Sequence, residues 1–168
     1  MKKIILIIGP NGVGKSTTAR AFLDKNTRCA YIDADWCRCI NPFDFTHETK
    51  KTVTENIFCL FKNYLTCPDI DMVVFPYGFH GERKEIFDAV IQRLNSELLE
   101  YKLFPIILTC SLEENIKRVE KDKRDIVRIK RGIKNTFHFY DNYPYTKIDT
   151  TKESVEQVVD KILELIEL

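Results

Sequence analysis

Three glycines and a lysine follow directly after a run of five aliphatic residues near the start of the chain. The run, 4–8, is dominated by isoleucine, which is typical of a strand buried on both faces of a sheet. Behind Lys15, apolar residues recur at helical spacing as Ala19, Phe22 and Leu23. The glycines are therefore predicted to form the connection between a strand and a helix.

The connection from Gly9 to Ser16 matches the pattern G-x-x-x-x-G-K-[S/T] at every fixed position, in the strand–loop–helix context that the pattern requires. Glycines let successive backbone N–H groups point at a phosphate, and the helix start adds the positive end of its dipole. Such a phosphate-binding loop (P-loop) places a lysine on the β- and γ-phosphates and a serine hydroxyl on Mg²⁺. We predict that a nucleoside triphosphate is bound by Gly9, Asn11, Gly12, Val13, Gly14, Lys15, Ser16 and Thr17.

Predicted strands and helices alternate along the rest of the chain. Apolar runs predict strands at 29–32, 72–75, 104–110 and 145–148, and helical spacing predicts helices over 46–65 and 83–99. Thr46 is a suitable N-cap for the first of these helices. Two further helices are predicted where Ser111-x-x-Glu114 and Thr150-x-x-Glu153 match capping boxes.

This alternation predicts an α/β protein in which helices cover both faces of a five-stranded parallel sheet, giving three layers. The 168-residue length favours one domain over 1–168. In such folds ligands bind at the carboxyl ends of the strands. Gly9, Asp33, Pro76 and Asp149 all fall at such ends, so we expect the chemistry to be gathered at one edge of the sheet.

Composition excludes several other classes of protein. The net charge of +1 gives no general attraction to nucleic acid or to a membrane surface, and the amino-terminal apolar run is too short for a signal peptide or a membrane span. The six cysteines form no C-x-x-C pair, which favours reduced thiols in a cytoplasmic protein. A metal cluster of Cys37, Cys39 and His47 would lack a fourth ligand at zinc spacing.

Two carboxylates follow the second predicted strand, at Asp33 and Asp35. Near a polyphosphate, one carboxylate can hold the water shell of Mg²⁺ while the other faces the phosphoryl acceptor; the alternative is a pair of solvated turn residues. The stretch 146–149 reads T-K-I-D, which matches a guanine-specifying pattern. It comes late for this role, however, because only 19 residues follow it where a GTPase usually needs another strand and helix. The stretch also fits a strand end that runs into a capped helix.

On these motifs the chain resembles, over nearly its full length, the small P-loop kinases related to nucleoside monophosphate kinases. These include shikimate and gluconate kinases and chloramphenicol phosphotransferase. The resemblance implies an ATP- and Mg²⁺-dependent phosphotransferase with substrate-binding helices at about 35–67 and a helical lid at about 118–140. It further implies that Ser16 and Asp33 lie at the metal and that Asp35 faces the acceptor.

The resemblance also assigns roles to arginines of a basic stretch, 117–134, which holds nine basic and three acidic residues. Arg118 matches the arginine that packs on adenine. Arg124 matches the lid arginine that reaches the phosphates, with Arg128 and Arg131 as further candidates. Two features depart from the shikimate kinase pattern: Asp125 stands where a lid proline is usual, and the segment 75–80 lacks the glycine pair of that family.

The acceptor is expected to contact side chains that follow the second and third strands. Aromatic surface and cationic donors occur there together, which suits a nucleoside or another flat, polar ring. The predicted substrate residues are Asp35, Trp36, Arg38, Tyr77, His80 and Arg83. If the acceptor group is a hydroxyl, Asp35 orients or deprotonates it; if it is a phosphate, no base is needed and Asp35 only binds.

We therefore predict a kinase that moves the γ-phosphoryl group of Mg·ATP to a small molecule, with Lys15, Asp35, Arg124 and Arg128 as catalytic residues. Its partners would be ATP and the acceptor, as a monomer or homodimer and without a membrane. Two alternatives remain open. One is a regulatory protein that hydrolyses ATP without an acceptor. The other is a polynucleotide-end kinase, which would need a basic groove outside the stretch 117–134, where the charges sum to −5.

Overall fold

The computed structural model of the protein describes residues 1–121, 132–133 and 136–167. Five strands occur in this part of the chain: β1 (Lys2–Ile8), β2 (Cys29–Tyr31), β3 (Met72–Pro76), β4 (Tyr101–Thr109) and β5 (Thr146–Asp149). The helices with defined bounds are α1 (Lys15–Lys25), α2 (Ala34–Cys37), α3 (His47–Thr66), α4 (Arg83–Ser96), α5 (Leu112–Lys121) and α6 (Val155–Glu167).

The five strands form one parallel sheet in the order β2-β3-β1-β4-β5, which confirms the predicted α/β architecture. Strand β1 lies between β3 and β4, so the loop that follows it opens at the middle of the sheet. The loops that follow β2 and β3 lie on one side of it and those that follow β4 and β5 on the other. This order brings the predicted site residues to one edge.

The sheet is buried on both faces because alternate residues of β1 enter different cores. Ile4, Leu6 and Ile8 pack with apolar side chains of α3 and α4, whereas Ile5 and Ile7 pack with those of α1 and α6. The three-layer arrangement therefore follows directly from an uninterrupted aliphatic strand. Within the described ranges, none of the helices combines the length and the apolar character that crossing a membrane requires.

Several predicted boundaries differ from the observed ones. Strand β4 begins at Tyr101 rather than 104, because Tyr101 and Lys102 pair with the first residues of β1 although they are not fully buried. Helix α4 ends at Ser96 rather than 99. The chain reverses just beyond it, where Leu98 adopts a φ of 55°.

The predicted helix caps have different outcomes. Thr46 caps α3 in a capping box with Thr49, as its position predicted. The hydroxyl of Ser111 accepts from the N–H of Glu114 at 3.2 Å, but the Glu114 carboxylate bonds forward to Arg118.

The predicted box of Thr150 and Glu153 is wrong. Helix α6 begins at Val155, where Ser154 and Gln157 exchange the two capping hydrogen bonds. Thr150 is instead buried, and its hydroxyl donates to the Thr109 carbonyl at 3.0 Å.

Candidate active site

The P-loop is confined between a strand and a helix. Gly9 has a φ of 148°, and a Cβ there would lie 2.4 Å from the backbone oxygen of Leu108 in β4. At Gly12, with a φ of 78°, a Cβ would lie 2.4 Å from Cγ2 of Val119 in α5. The glycines are therefore required by packing behind the loop as well as by the approach of a phosphate in front of it.

Lys15 begins α1, and its side chain bends back over the loop. Its Nζ donates to the carbonyl oxygens of Gly9 at 2.9 Å and Pro10 at 2.8 Å. Burial, and after it the charge of Arg83, lowers the pKa of Lys15 to about 8. The charge of Asp35 has the opposite, smaller effect on this pKa. The lysine is thus held among other charged groups, where a polyphosphate would favour its protonated form.

The P-loop opens into a cleft of about 940 Å³ that contains most of the predicted site residues. One side of it is formed by the residues predicted to meet the acceptor and the metal, here called the acceptor side: Asp33, Asp35, Arg38, Tyr77, His80 and Arg83. Arg118 and the segment 153–155 line the cleft beyond the P-loop. The fold therefore joins nucleotide-binding and acceptor-binding candidates in one cavity.

Trp36 is the predicted substrate residue that the fold turns away from the cleft. The chain after β2 forms a one-turn helix, α2. The carboxylate of Asp33 caps it by accepting from the N–H groups of Asp35 at 2.9 Å and Trp36 at 3.4 Å. This turn buries Cys37 in the core and leaves Trp36 exposed over 74% of its surface.

Tyr31 lies beside one of the two predicted metal residues, Asp33. Its hydroxyl is 3.4 Å from Oδ2 of that carboxylate. Arg20 reaches the same Asp33 oxygen at 3.6 Å. Hydroxyl and carboxylate oxygens beside a P-loop are the donor set that Mg²⁺ prefers, so Ser16 and Asp33 fit this ion.

Asp35 and Arg38 form an ion pair across one turn of chain on the acceptor side. The Asp35 side chain is 74% exposed and opens to the cleft, whereas the Arg38 side chain is 26% exposed. A carboxylate that is paired with a neighbouring guanidinium and open to solvent can contact a substrate without any rearrangement of the core. This placement is compatible with the acceptor-facing role predicted for Asp35.

The loop after β3 supplies the remaining acceptor-side residues. The Tyr77 hydroxyl donates to the carbonyl of Arg83 at 3.1 Å, and the Arg83 guanidinium contacts Nε2 of His80. Burial is the main reason that the pKa of Tyr77 is raised and that of His80 is lowered to about 4. His80 is therefore a neutral hydrogen-bonding group at physiological pH rather than a second cation.

Arg118 contacts three segments that meet at the cleft. Its guanidinium bonds to the Glu114 carboxylate at 2.9 Å, to the Val13 carbonyl of the P-loop at 3.2 Å, and to the Thr150 carbonyl at 2.7 Å. The arginine thereby links α5 to the P-loop and to the loop after β5. The predicted lid arginines Arg124, Arg128 and Arg131 lie outside the described residues.

The side chains of Lys147 and Asp149 in the T-K-I-D stretch make hydrogen bonds to nearby residues of the chain. Asp149 accepts from the N–H of Thr151 at 2.9 Å and from its hydroxyl at 2.5 Å. Lys147 donates to the carbonyl of Asp141 at 2.6 Å. Both side chains close turns around β5, which supports the interpretation of this stretch as a strand end.

Sequence reasoning missed Tyr140, which ties the end of the predicted lid, about 118–140, to the loop after β3. The tyrosine is 1% exposed, and its hydroxyl accepts from the N–H of Phe79 at 2.9 Å. Thr136, also buried, accepts from the N–H of Asn11 in the P-loop at 3.4 Å. No motif marks either residue, because each contacts a loop distant in sequence; the only signal was the aromatic run around Tyr140.

Known structures share this fold along almost the whole chain. A sugar kinase from Janibacter sp. has a TM-score of 0.66 at 12% identity, covering 99% of this chain and 95% of its own. The tunicamycin resistance protein of Deinococcus radiodurans has a TM-score of 0.66 at 15% identity, with 100% and 97% covered. Shikimate kinase from Acinetobacter baumannii, solved with shikimate, has a TM-score of 0.63 at 15% identity, with 99% and 94% covered.

These likenesses confirm the predicted fold, a three-layer α/β arrangement around a five-stranded parallel sheet. A family model described as an AAA domain (AAA_18) matches residues 5–138. Because the match spans most of the chain, the protein belongs to this AAA domain family. No curated protein matches the chain.

Proposed function

We propose that the protein is a kinase that transfers the γ-phosphoryl group of Mg·ATP to a small-molecule acceptor. The observation that carries the proposal is the shared cleft, in which Lys15 of the P-loop and the acceptor-side residues Asp35, Arg38 and Arg83 line one cavity. A nucleotide-binding protein without an acceptor has no need for such a second group of charged residues. The kinase names of structurally similar proteins support the same class of reaction.

Catalysis by these residues would consist mainly of positioning and charge stabilisation. Lys15 would neutralise charge on the transferring group, together with Arg124 and Arg128 as the resemblance implies. Ser16 and Asp33 would hold Mg²⁺, which supplies charge neutralisation on the phosphates when bound. Arg118 would pack on the adenine.

Asp35 would orient a hydroxyl acceptor and take its proton as the acceptor oxygen bonds to the γ-phosphorus. The bond from that phosphorus to the β,γ-bridging oxygen breaks, and ADP leaves. General-base assistance of this kind contributes about 10²–10⁴-fold to the rate. A phosphate acceptor has no proton that must be removed, so in that case Asp35 would act in binding alone. The rate effect of Asp35→Asn thus distinguishes the two kinds of acceptor.

The proposal is tested by calorimetric binding of Mg·ATP, followed by a screen for compounds that stimulate ADP release. The screen should cover sugars, sugar acids, nucleosides, nucleotides and antibiotics. We expect wild type to bind Mg·ATP, Lys15→Met to lose most of that affinity, and Asp35→Asn to retain it. Wild-type protein that does not bind Mg·ATP, or a Lys15→Met variant that binds it equally well, would refute the proposal.

A further inference from the structure

Arg83 differs from Lys15 and Arg38, two other basic residues that line the cleft, in what its side chain contacts. Lys15 donates to two carbonyl oxygens, and Arg38 pairs with the carboxylate of Asp35. Among the described residues, the hydrogen-bond and ring contacts of the Arg83 guanidinium are with neutral groups: the imidazole of His80 and, at 5.9 Å, the ring of Phe45. The cleft therefore holds a half-buried cation without a carboxylate partner in the described part of the chain.

The position of Arg83 is fixed by its surroundings. It is the first residue of α4, and its carbonyl accepts the hydroxyl of Tyr77 at 3.1 Å. Tyr77 is itself buried and stacks on Phe75, with ring centroids 4.9 Å apart. These contacts hold the backbone of Arg83, and His80 contacts its guanidinium, so the side chain loses less freedom when it binds a ligand than a free arginine would.

His80 holds the Arg83 side chain but does not neutralise it. Burial, followed by the charges of Arg83, Lys15 and Arg38, lowers the pKa of His80 to about 4. Because arginine can only donate, Nε2 of His80 must be the acceptor in their contact, and the ring proton lies on Nδ1. The imidazole is then a neutral support for the guanidinium.

The electrostatics of Arg83 favour the addition of a negative charge. Burial and then the nearby Arg38 lower the pKa of Arg83, against the opposing influence of Tyr77 and Asp35. Asp35 is already paired with Arg38, so it does not fully compensate two guanidinium groups. An anion between Arg38 and Arg83 would relieve both the repulsion and the cost of burial.

We infer that the acceptor carries an anionic group, a carboxylate or a phosphate, and that Arg83 binds it together with Arg38. The inference rests on the proposed function, in which this side of the cleft receives the acceptor. A planar guanidinium matches two oxygens of a carboxylate or phosphate at once. A neutral acceptor would leave Arg83 buried further without a charged partner, at a cost in affinity.

The γ-phosphate of the nucleotide is the competing partner for Arg83. The γ-phosphate would bind near Lys15, and Arg83 is close enough to Lys15 to contribute to its lowered pKa. The test must therefore fill the P-loop, including the γ-phosphate position, before an anion is offered to Arg83. The non-hydrolysable nucleotide Mg·AMP-PNP meets this requirement.

We would titrate the protein loaded with Mg·AMP-PNP with inorganic phosphate and, separately, with acetate, by calorimetry at constant ionic strength. Hydrogen bonds to charged groups predict that Arg83→Met weakens binding of the preferred ion by about 10- to 100-fold. Arg83→Lys, which keeps the charge but not the planar donors, should bind with intermediate affinity. Tighter binding of phosphate indicates a phosphorylated acceptor, and tighter binding of acetate indicates a carboxylate.

Arg93→Met is the matched control, because Arg93 lies on the same helix and pairs with Glu55 away from the cleft. It should bind the ions as wild type does. Binding of neither ion by the loaded wild type, or equal binding by Arg83→Met, would overturn the inference alone. Weaker binding of Mg·AMP-PNP by Arg83→Met, with Mg·ADP unaffected, would assign Arg83 to the γ-phosphate and also overturn it. Failure of wild type to bind Mg·AMP-PNP would instead refute the proposed function on which the inference rests.

Discussion

Replacement of Gly12 by alanine tests whether the P-loop is shaped by the helix behind it. The new Cβ would lie 2.4 Å from Cγ2 of Val119 and 3.0 Å from Oδ1 of Asn115. These two side chains are 4% and 0% exposed, and a Cβ contact as short as that to Val119 requires something to shift. The overlap must therefore displace the loop, Val119 or α5.

Gly14 provides the matched control for this substitution. It too has a positive φ, of 103°, but a Cβ there would meet no described atom within 4 Å. A left-handed backbone costs an alanine about 1–2 kcal/mol, and overpacking adds about 1–3 kcal/mol. We thus expect Gly14→Ala to lose about 1–2 kcal/mol of unfolding free energy and Gly12→Ala about 2–5 kcal/mol.

Thermal and urea unfolding of the two variants would measure the difference. For a chain of this length, each kcal/mol corresponds to a fall in Tm of about 2–4 °C. The same samples should show weaker Mg·ATP binding for Gly12→Ala, because displaced N–H groups no longer converge on a phosphate. Equal losses of stability for Gly12→Ala and Gly14→Ala would refute the packing of the P-loop against Val119.

Two further predictions concern the acceptor side. Tyr140→Phe leaves the N–H of Phe79 without its buried acceptor and should lower the free energy of unfolding in urea by about 1–3 kcal/mol. Tyr145→Phe, in the same aromatic cluster, is the control and should lower it by less. Equal losses of stability for the two variants would contradict this prediction. Because the pKa of His80 falls to about 4 on folding, the unfolded chain binds more protons below the ordinary value of 6.5, and stability decreases as the pH falls from there. His80→Gln should reduce this decrease, as Tm measured against pH would show. An unchanged profile for His80→Gln would contradict the account.

The layers of the fold could be predicted because they depend on continuous local patterns. The aliphatic run of β1 must be buried on both faces, and α6 shows a regular apolar stripe. The start of a helix could not be fixed where two capping-box patterns lie close together in the sequence. Thr150 and Ser154 both begin a capping-box pattern, and tertiary contacts of Thr150 with Thr109 and Arg118 decide for Ser154.

Site residues could be predicted where a sequence motif fixes their positions. They could not be predicted where their role depends on the direction of a side chain or on a contact between distant segments. The P-loop motif placed Lys15 and Ser16, and the spacing of Asp33 and Asp35 placed both at the strand end. Trp36 could not be oriented, because a one-turn helix has no periodicity to show which side faces the core. The contact of Tyr140 with Phe79 joins residues 61 positions apart and left no local signal.

The fate of the γ-phosphoryl group tests the central claim most directly. With γ-labelled ATP, Mg²⁺ and an acceptor that stimulates ADP release, we predict that the label appears in the acceptor and that Lys15→Met abolishes the transfer. Label recovered only as inorganic phosphate, at a rate that no compound of the screen increases, would contradict the account and identify the protein as an ATPase.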